Sequence, residues 1–296
     1  MKNEIKLNTI NFTNATEDFI TYLDVNEETL RCYKEGIKKF LEYLQNIEVR
    51  YPTRNDVRTF REALSKEHSI YTINSYLTAL RRFFDYLEDN NLYENITRSV
   101  KSLKTSNIPV RQTLNEEQCK DIYKSLTDKR EKALFSLSLS TGLRGIEISR
   151  AKIEDIQLYN GEVVLWVQPK KHDSKDFYVK LSDEVIRDIK EYIGNRETGF
   201  IFVSTSPNNL NGGLTTTSIR SIMKGIFRRF GYDEKGFSMH STRRTFATIA
   251  YNNDTDIYSI QQILGHHSIT TTQRYIQQVV RNKNKTEVKI SNLLFE

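Results

Sequence analysis

Leu264-Gly265-His266-His267-Ser268-Ile269-Thr270-Thr271-Thr272-Gln273-Arg274-Tyr275 is the stretch on which the reading of this chain turns. A glycine after a run with helical periodicity marks a helix end, so His266 falls in the turn beyond it. Ser268 is placed to cap the next helix, which carries Tyr275 two turns in. A lone histidine after a glycine is ordinarily a satisfied turn residue, and a lone tyrosine on an amphipathic helix is ordinarily core. The upstream sequence changes that expectation. His240-Ser241-Thr242-Arg243-Arg244 puts a histidine and an arginine three apart, on one helix face. Thr141-Gly142-Leu143-Arg144-Gly145-Ile146-Glu147 puts an arginine just past a helix-breaking pair. Arg144 thus stands near a helix N-terminus, where backbone N–H groups and a guanidinium can face one anion. Glu147 lies on the same face and could fix the Arg144 side chain.

The rest of the chain reads as mostly α with a small antiparallel β-sheet. In the first third, Asn26 caps a helix whose Leu30, Tyr33, Ile37, Phe40, Leu41 and Leu44 recur at helical spacing. A short helix precedes it over 15–22, and further helices are expected over 54–65 and 72–89. Periodicity is lost over 101–111, where small polar residues, Pro109 and positive charge make a linker. Asn115 then caps another helix, and 130–139 reads as a helix buried over its apolar second half. Residues 154–159 and 162–168 flank Asn160-Gly161, the chemistry of a type I′ hairpin turn. A turn rich in Lys, His, Asp and Ser leads to a third strand at 177–181. Helices follow at roughly 184–193, 216–230, 241–251, 257–264 and 269–280. In the tail, Ile290, Leu293 and Leu294 share a short helix face and call for something to dock on.

At 296 residues the chain is long enough for two domains. Its net charge of +6 suits a polyanionic partner without identifying one. Cys32 and Cys119 fit no zinc spacing, and no Asp/Glu–His cluster announces another metal, so no metal or other cofactor is expected. The opening residues lack the apolar core of a signal peptide, and no apolar run approaches membrane-spanning length. A cytoplasmic protein follows, with no membrane partner and with thiols kept reduced. Frequent Asn, Ile, Lys and Tyr hint at an AT-rich bacterial or mobile-element gene.

Arginine, His-x-x-Arg, Leu-Gly-His and then tyrosine nine residues on resemble the motif set of the tyrosine recombinase family, the phage-type integrases and Xer recombinases. The resemblance is strong over the C-terminal part and loose over the N-terminal part. It implies an N-terminal helical core-binding domain at 1–103, a linker at 104–112, and a catalytic domain at 113–296 ending in a docking tail. It also implies a site-specific recombinase that cleaves and rejoins duplex DNA through a 3′-phosphotyrosyl intermediate. Arg144 and Arg243 would clamp the phosphate. His240 and His266 would hydrogen-bond it or assist proton transfer, Tyr275 would attack, and Glu147 would support the arginines. The covalent link retains the bond energy, so religation needs no nucleotide cofactor. The family places its general-acid lysine in the β-hairpin, commonly within Gly-Lys-Gly. Here Pro169-Lys170-Lys171 replaces that motif. Lys170 aligns best, at the end of a strand; Lys171 is the alternative and Lys175 a more distant one.

Partners implied by the resemblance are double-stranded DNA with specific recombination sites, further copies of the chain as a tetramer on paired sites, and accessory DNA-bending or directionality factors. Such a protein would associate with the nucleoid when bound. Integrase, Xer-like dimer resolvase and transposon resolvase stay open as sub-functions. So do two alternatives: a type IB topoisomerase that relaxes DNA without a specific site, and a DNA-binding paralogue that has lost catalysis.

Overall fold

A computed structural model of the chain describes residues 11–104, 112–170, 172–232 and 234–295. The chain divides into two compact units, residues 1–108 and 109–296. Most of the expected linker at 104–112, and Lys171, lie outside the described residues.

Among its described residues, the first unit is built on four helices: α1 (Phe12–Tyr22), α2 (Glu27–Asn46), α3 (Arg54–Leu64) and α4 (Ile70–Asp89). Each starts at a residue whose side chain satisfies orphan N–H groups or completes a capping box: Asn11, Asn26, Thr53 with Asp56, and Ser69. Their apolar stripes meet in a core rich in aromatic rings, Phe19, Phe40, Phe60, Phe83 and Phe84, with edge-on or tilted contacts. Gly36 permits the close approach of α2 and α4, since a Cβ there would lie 3.1 Å from the Tyr76 Cα. Residues 101–103, which lose helical periodicity, are nonetheless tied to this unit. Asn74 donates to the Leu103 carbonyl at 2.9 Å and accepts from its N–H at 2.8 Å, while Arg61 donates to the Lys101 carbonyl.

The second unit opens with α5 (Glu116–Ser125), capped by an Asn115–Gln118 box, then α6 (Lys129–Thr141) and the short α7 (Gly145–Arg150). Three strands form one antiparallel sheet in the order β1 (Ile156–Tyr159), β2 (Glu162–Val167), β3 (Phe177–Lys180). Asn160 and Gly161 both take positive φ between β1 and β2, as the Asn-Gly pair predicts. Three strand boundaries differ from expectation, the smallest being β3, which ends at Lys180 and not at 181. Glu154 and Asp155 belong to a 3₁₀ turn, because Asp155 accepts from the Lys152 N–H instead of joining the ladder. Strand β2 stops at Val167, so Lys170 stands in the following turn and not at a strand end. Pro169 has no N–H to give a ladder, and Gln168 and His172 close the turn among themselves.

Helices α8 (Asp183–Ile193), α9 (Thr216–Arg229), α10 (Met239–Asn252), α11 (Ile257–Ile263), α12 (Ile269–Lys283) and α13 (Thr286–Phe295) complete the unit. A large core of α6, the sheet, α8 and α9 includes Leu134, Phe135, Leu165, Ile189 and Phe227. A smaller cluster, Ala247, Ile260, Leu264 and Ile276, joins α10, α11 and α12. Tyr275, singled out by motif, packs against that cluster. Among the described residues, no helix is long and apolar enough to cross a membrane.

Candidate active site

Four chain segments converge here, and each brings one motif. The first is the end of α6. Gly142 caps that helix in the left-handed conformation at φ 64°, and a Cβ there would meet the Leu264 side chain at 2.7 Å. Glycine is therefore required twice over, by backbone and by space. The turn delivers Arg144 to the N-cap position of α7. The Glu147 carboxylate accepts from the Arg144 backbone N–H at 2.7 Å and from its guanidinium at 2.8 Å. The Glu147 side chain is only 4% exposed, so this pair is held in a largely desolvated setting.

Arg243 projects from α10 and is 1% exposed. It donates from Nη1 to the Gly142 carbonyl at 2.7 Å and from Nη2 to the Leu264 carbonyl. Glu147 Oε2 lies 4.0 Å from Nη1. Arg243 thus ties together the turns at the ends of α6 and α11. Its Nε is buried with no hydrogen-bond partner. Burial, and secondarily the Arg144 charge, lower its pKa to about 10, with Glu147 and Tyr275 acting in the opposite sense. It still carries its charge at neutral pH.

His240 sits at the exposed start of α10, one turn before Arg243. Its Nε2 and the Tyr275 hydroxyl are 2.7 Å apart, with the rings edge-to-face at 84°. Tyr275 is half-buried on α12, in the position that the Ser268 cap predicts.

His266 follows Gly265, whose φ of 56° makes the turn after α11. Its backbone is fastened on both sides by Gln261, which offers a carbonyl to the His266 N–H and an amide to the His266 carbonyl. The ring is 7% exposed and packs edge-on against Tyr275, with centroids 5.1 Å apart. Nδ1 meets the Thr272 hydroxyl at 2.8 Å, while Nε2 is buried without a partner. Burial first, then the charges of Arg243, Arg144 and His240, drive its pKa down to about 3, so the imidazole is neutral at physiological pH.

Lys170 is exposed in the β2–β3 turn. That turn reaches toward the site through His172, whose ring stacks on His267 with centroids 6.3 Å apart and is held by Asp176 at 3.0 Å. Lys175 is committed elsewhere: its ammonium is 2.5 Å from both oxygens of the buried Asp155.

The structure therefore brings Arg144, Glu147, His240, Arg243, His266 and Tyr275 together. Sequence reasoning missed Thr272, the Gly142 and Leu264 carbonyls that seat Arg243, and the contact of His172 with His267. Thr272 lies three residues before Tyr275, so a shared helix face was legible; its partner was not. Among the described residues, no group of three His, Cys, Asp or Glu side chains is placed to hold a metal.

Residues 112–281 match the model of the phage integrase family, and residues 16–91 match the phage integrase N-terminal SAM-like domain. Tyrosine recombinase XerA of Pyrococcus furiosus is 31% identical over 288 residues, covering 94% of each chain. A tyrosine recombinase of Thermosipho africanus is 30% identical over 265 residues, 85% of this chain and 89% of that one. The fold is similar to that of the XerH site-specific recombinase in its post-cleavage complex with a palindromic difH substrate. The TM-score is 0.70 at 21% identity, over 88% of this chain and 79% of that one. The chain belongs to the phage integrase family, and is thus a tyrosine recombinase.

Proposed function

We infer that the protein is a site-specific DNA recombinase in which Tyr275 is the nucleophile, attacking the scissile phosphate to give a 3′-phosphotyrosyl link and a free 5′-hydroxyl. The observation that carries this reading is the pair of buried, unpartnered nitrogens, Arg243 Nε and His266 Nε2, in the same cluster as the Tyr275 hydroxyl. Buried polar atoms are ordinarily satisfied. Two left over beside a phenol are explained by an anionic ligand, and a phosphodiester supplies the oxygens. Arg144 and Arg243 stabilise the charge that develops on the phosphorus oxygens; losing one such donor should cost about 3–4 kcal/mol of the barrier. His240 takes the phenolic proton across its 2.7 Å contact as the phosphorus–oxygen bond forms. Lys170 protonates the departing 5′-oxygen, a role supported by the His172–His267 stack that draws its turn to the site. Glu147 orients Arg144 and balances part of the arginine charge. Rejoining reverses these steps on a new 5′-hydroxyl.

Residues 1–103, 104–112 and 113–296 act in this reading as core-binding domain, linker and catalytic domain on duplex DNA. The chain works in the cytoplasm as a tetramer on paired sites, aided by accessory factors. The tail of α13 supports assembly: Ile290, Leu293, Leu294 and Phe295 are all exposed. The decisive test uses a nicked suicide duplex whose sequence the protein has selected from a random pool. The parent should accumulate a covalent protein–DNA adduct, and Tyr275→Phe should bind the same duplex but form none. Normal adduct yield from the Phe variant removes Tyr275 from the mechanism.

A further inference from the structure

We propose that Thr272 is a positioning residue: its hydroxyl proton goes to His266 Nδ1 and fixes the neutral ring as the tautomer that carries hydrogen on Nε2. The inference rests on the recombinase reading of the site and gives a role to Thr272, to which the sequence reading assigned none.

The argument starts from where a buried hydroxyl can send its proton. Thr272 is 0% exposed. Threonines inside helices commonly return the hydroxyl to the carbonyl four residues back. Thr16, Thr21, Thr78 and Thr141 all do so here, at 2.6–3.0 Å. Among the described hydrogen bonds, Thr272 Oγ1 has His266 Nδ1 as its one partner, at 2.8 Å. Were Nδ1 the donor, the hydroxyl proton would be buried with no acceptor, an arrangement proteins avoid. The proton therefore belongs on the Oγ1–Nδ1 line, and Nδ1 is the acceptor.

The other ring nitrogen follows. A neutral imidazole has one donor and one acceptor, and the bond made by one nitrogen decides the other. With Nδ1 accepting, Nε2 bears hydrogen. Arg144 and Arg243 are both close enough to lower the imidazole pKa, which keeps the ring neutral. The result is a buried, uncharged donor close enough to Arg243 to feel its charge, and suited to a phosphate oxygen.

The placement has a second consequence. Thr272 and Tyr275 are three residues apart on α12, hence on one face. The helix that carries Tyr275 therefore also carries the group that orients His266. Any displacement of α12 loosens both, so a donor for the phosphate is offered only when the phenol is seated.

Long-range nitrogen–proton correlation spectra of the full chain, labelled with ¹⁵N at histidine, read the ring state directly. Five histidines must be distinguished, and His266→Gln assigns the relevant one. The parent and Thr272→Ser should show His266 protonated on Nε2. Thr272→Val, nearly the same shape without the hydroxyl, should shift it toward the Nδ1–H form. Inorganic phosphate, used as the probe, should perturb Nε2 in the parent and in Thr272→Ser. It should bind Thr272→Val about 10- to 100-fold more weakly, the effect of one lost hydrogen bond to a charged group. An Nδ1–H ring in the parent overturns the proposal, as does an Nε2–H ring that persists in Thr272→Val. The ring state is read without DNA, so it is independent of the suicide-duplex experiment. Failure of the parent to form an adduct there would instead remove the recombinase reading.

Discussion

His266 makes the stability of the second unit sensitive to mild acid, because its burial among cationic groups lowers the imidazole pKa. In the unfolded chain its imidazole ionises at the ordinary value of 6.5; in the folded chain that value falls to about 3. Below pH 6.5 the unfolded chain takes up a proton that the folded chain refuses. The associated stability is complete above pH 6.5 and is lost as the pH falls toward 3. At about 1.4 kcal/mol per pH unit, the interval from pH 6.5 down to pH 5 gives a loss of about 2 kcal/mol. Replacing His266 with glutamine removes the titration while other ionising groups keep theirs, so the difference between parent and variant isolates it. The assay is urea unfolding followed by tryptophan fluorescence. The single tryptophan, Trp166, lies on β2 and reports the second unit specifically. Between pH 7 and pH 5 the parent should lose about 2 kcal/mol more than His266→Gln. Equal losses in the two proteins would show that the folded ring accepts its proton as easily as the free one. The account of a desolvated imidazole among arginines would then be refuted.

Lys170→Ala should cleave normal DNA poorly and be substantially rescued by sulfur at the 5′-bridging position, a leaving group that needs no proton; rescue of Lys171→Ala instead would move the assignment by one residue. Lys175→Ala should show no such rescue, and should lower the stability of the second unit by about 1–2 kcal/mol, because it strands the Asp155 carboxylate. Adduct formation should persist in excess EDTA, since in the proposed mechanism Arg144 and Arg243 supply the positive charge; full loss restored by magnesium would contradict that role. Truncation after Lys285 removes α13 and should spare binding to a single site while reducing cooperative filling of paired sites. Parent-like recombination by the shortened chain would show that α13 has no part in assembly.

The local signals in the sequence were sufficient for most of the elements. Caps such as Asn26, Asn115 and Ser268 fix helix starts through hydrogen bonds to residues two or three positions on, and Asn160-Gly161 fixes a hairpin through its own dihedrals. These depend on neighbours in the chain, so they can be read from it. The link between Arg144 and Glu147 was legible for the same reason, at a separation of three residues. Where local chemistry conflicted with a simple pattern, the boundary moved. Pro169 ended β2 before Lys170, and the Asp155 side chain diverted its segment into a 3₁₀ turn.

The sequence by itself determined the class, because Arg144, His240, Arg243, His266 and Tyr275 occur in the order and spacing that mark the resemblance to the tyrosine recombinase family. It could not say which atom of each faces which. Arg243 spends both terminal nitrogens on carbonyls that are 101 and 21 residues away in the chain. His240 meets Tyr275 across 35 residues. Such contacts are set by the packing of α6, α10, α11 and α12 around one another, which no local pattern encodes. Desolvation is likewise a property of the assembled fold. It is what makes His266 a neutral ring, leaves Arg243 Nε without a partner, and gives the Thr272 hydroxyl a single place to send its proton.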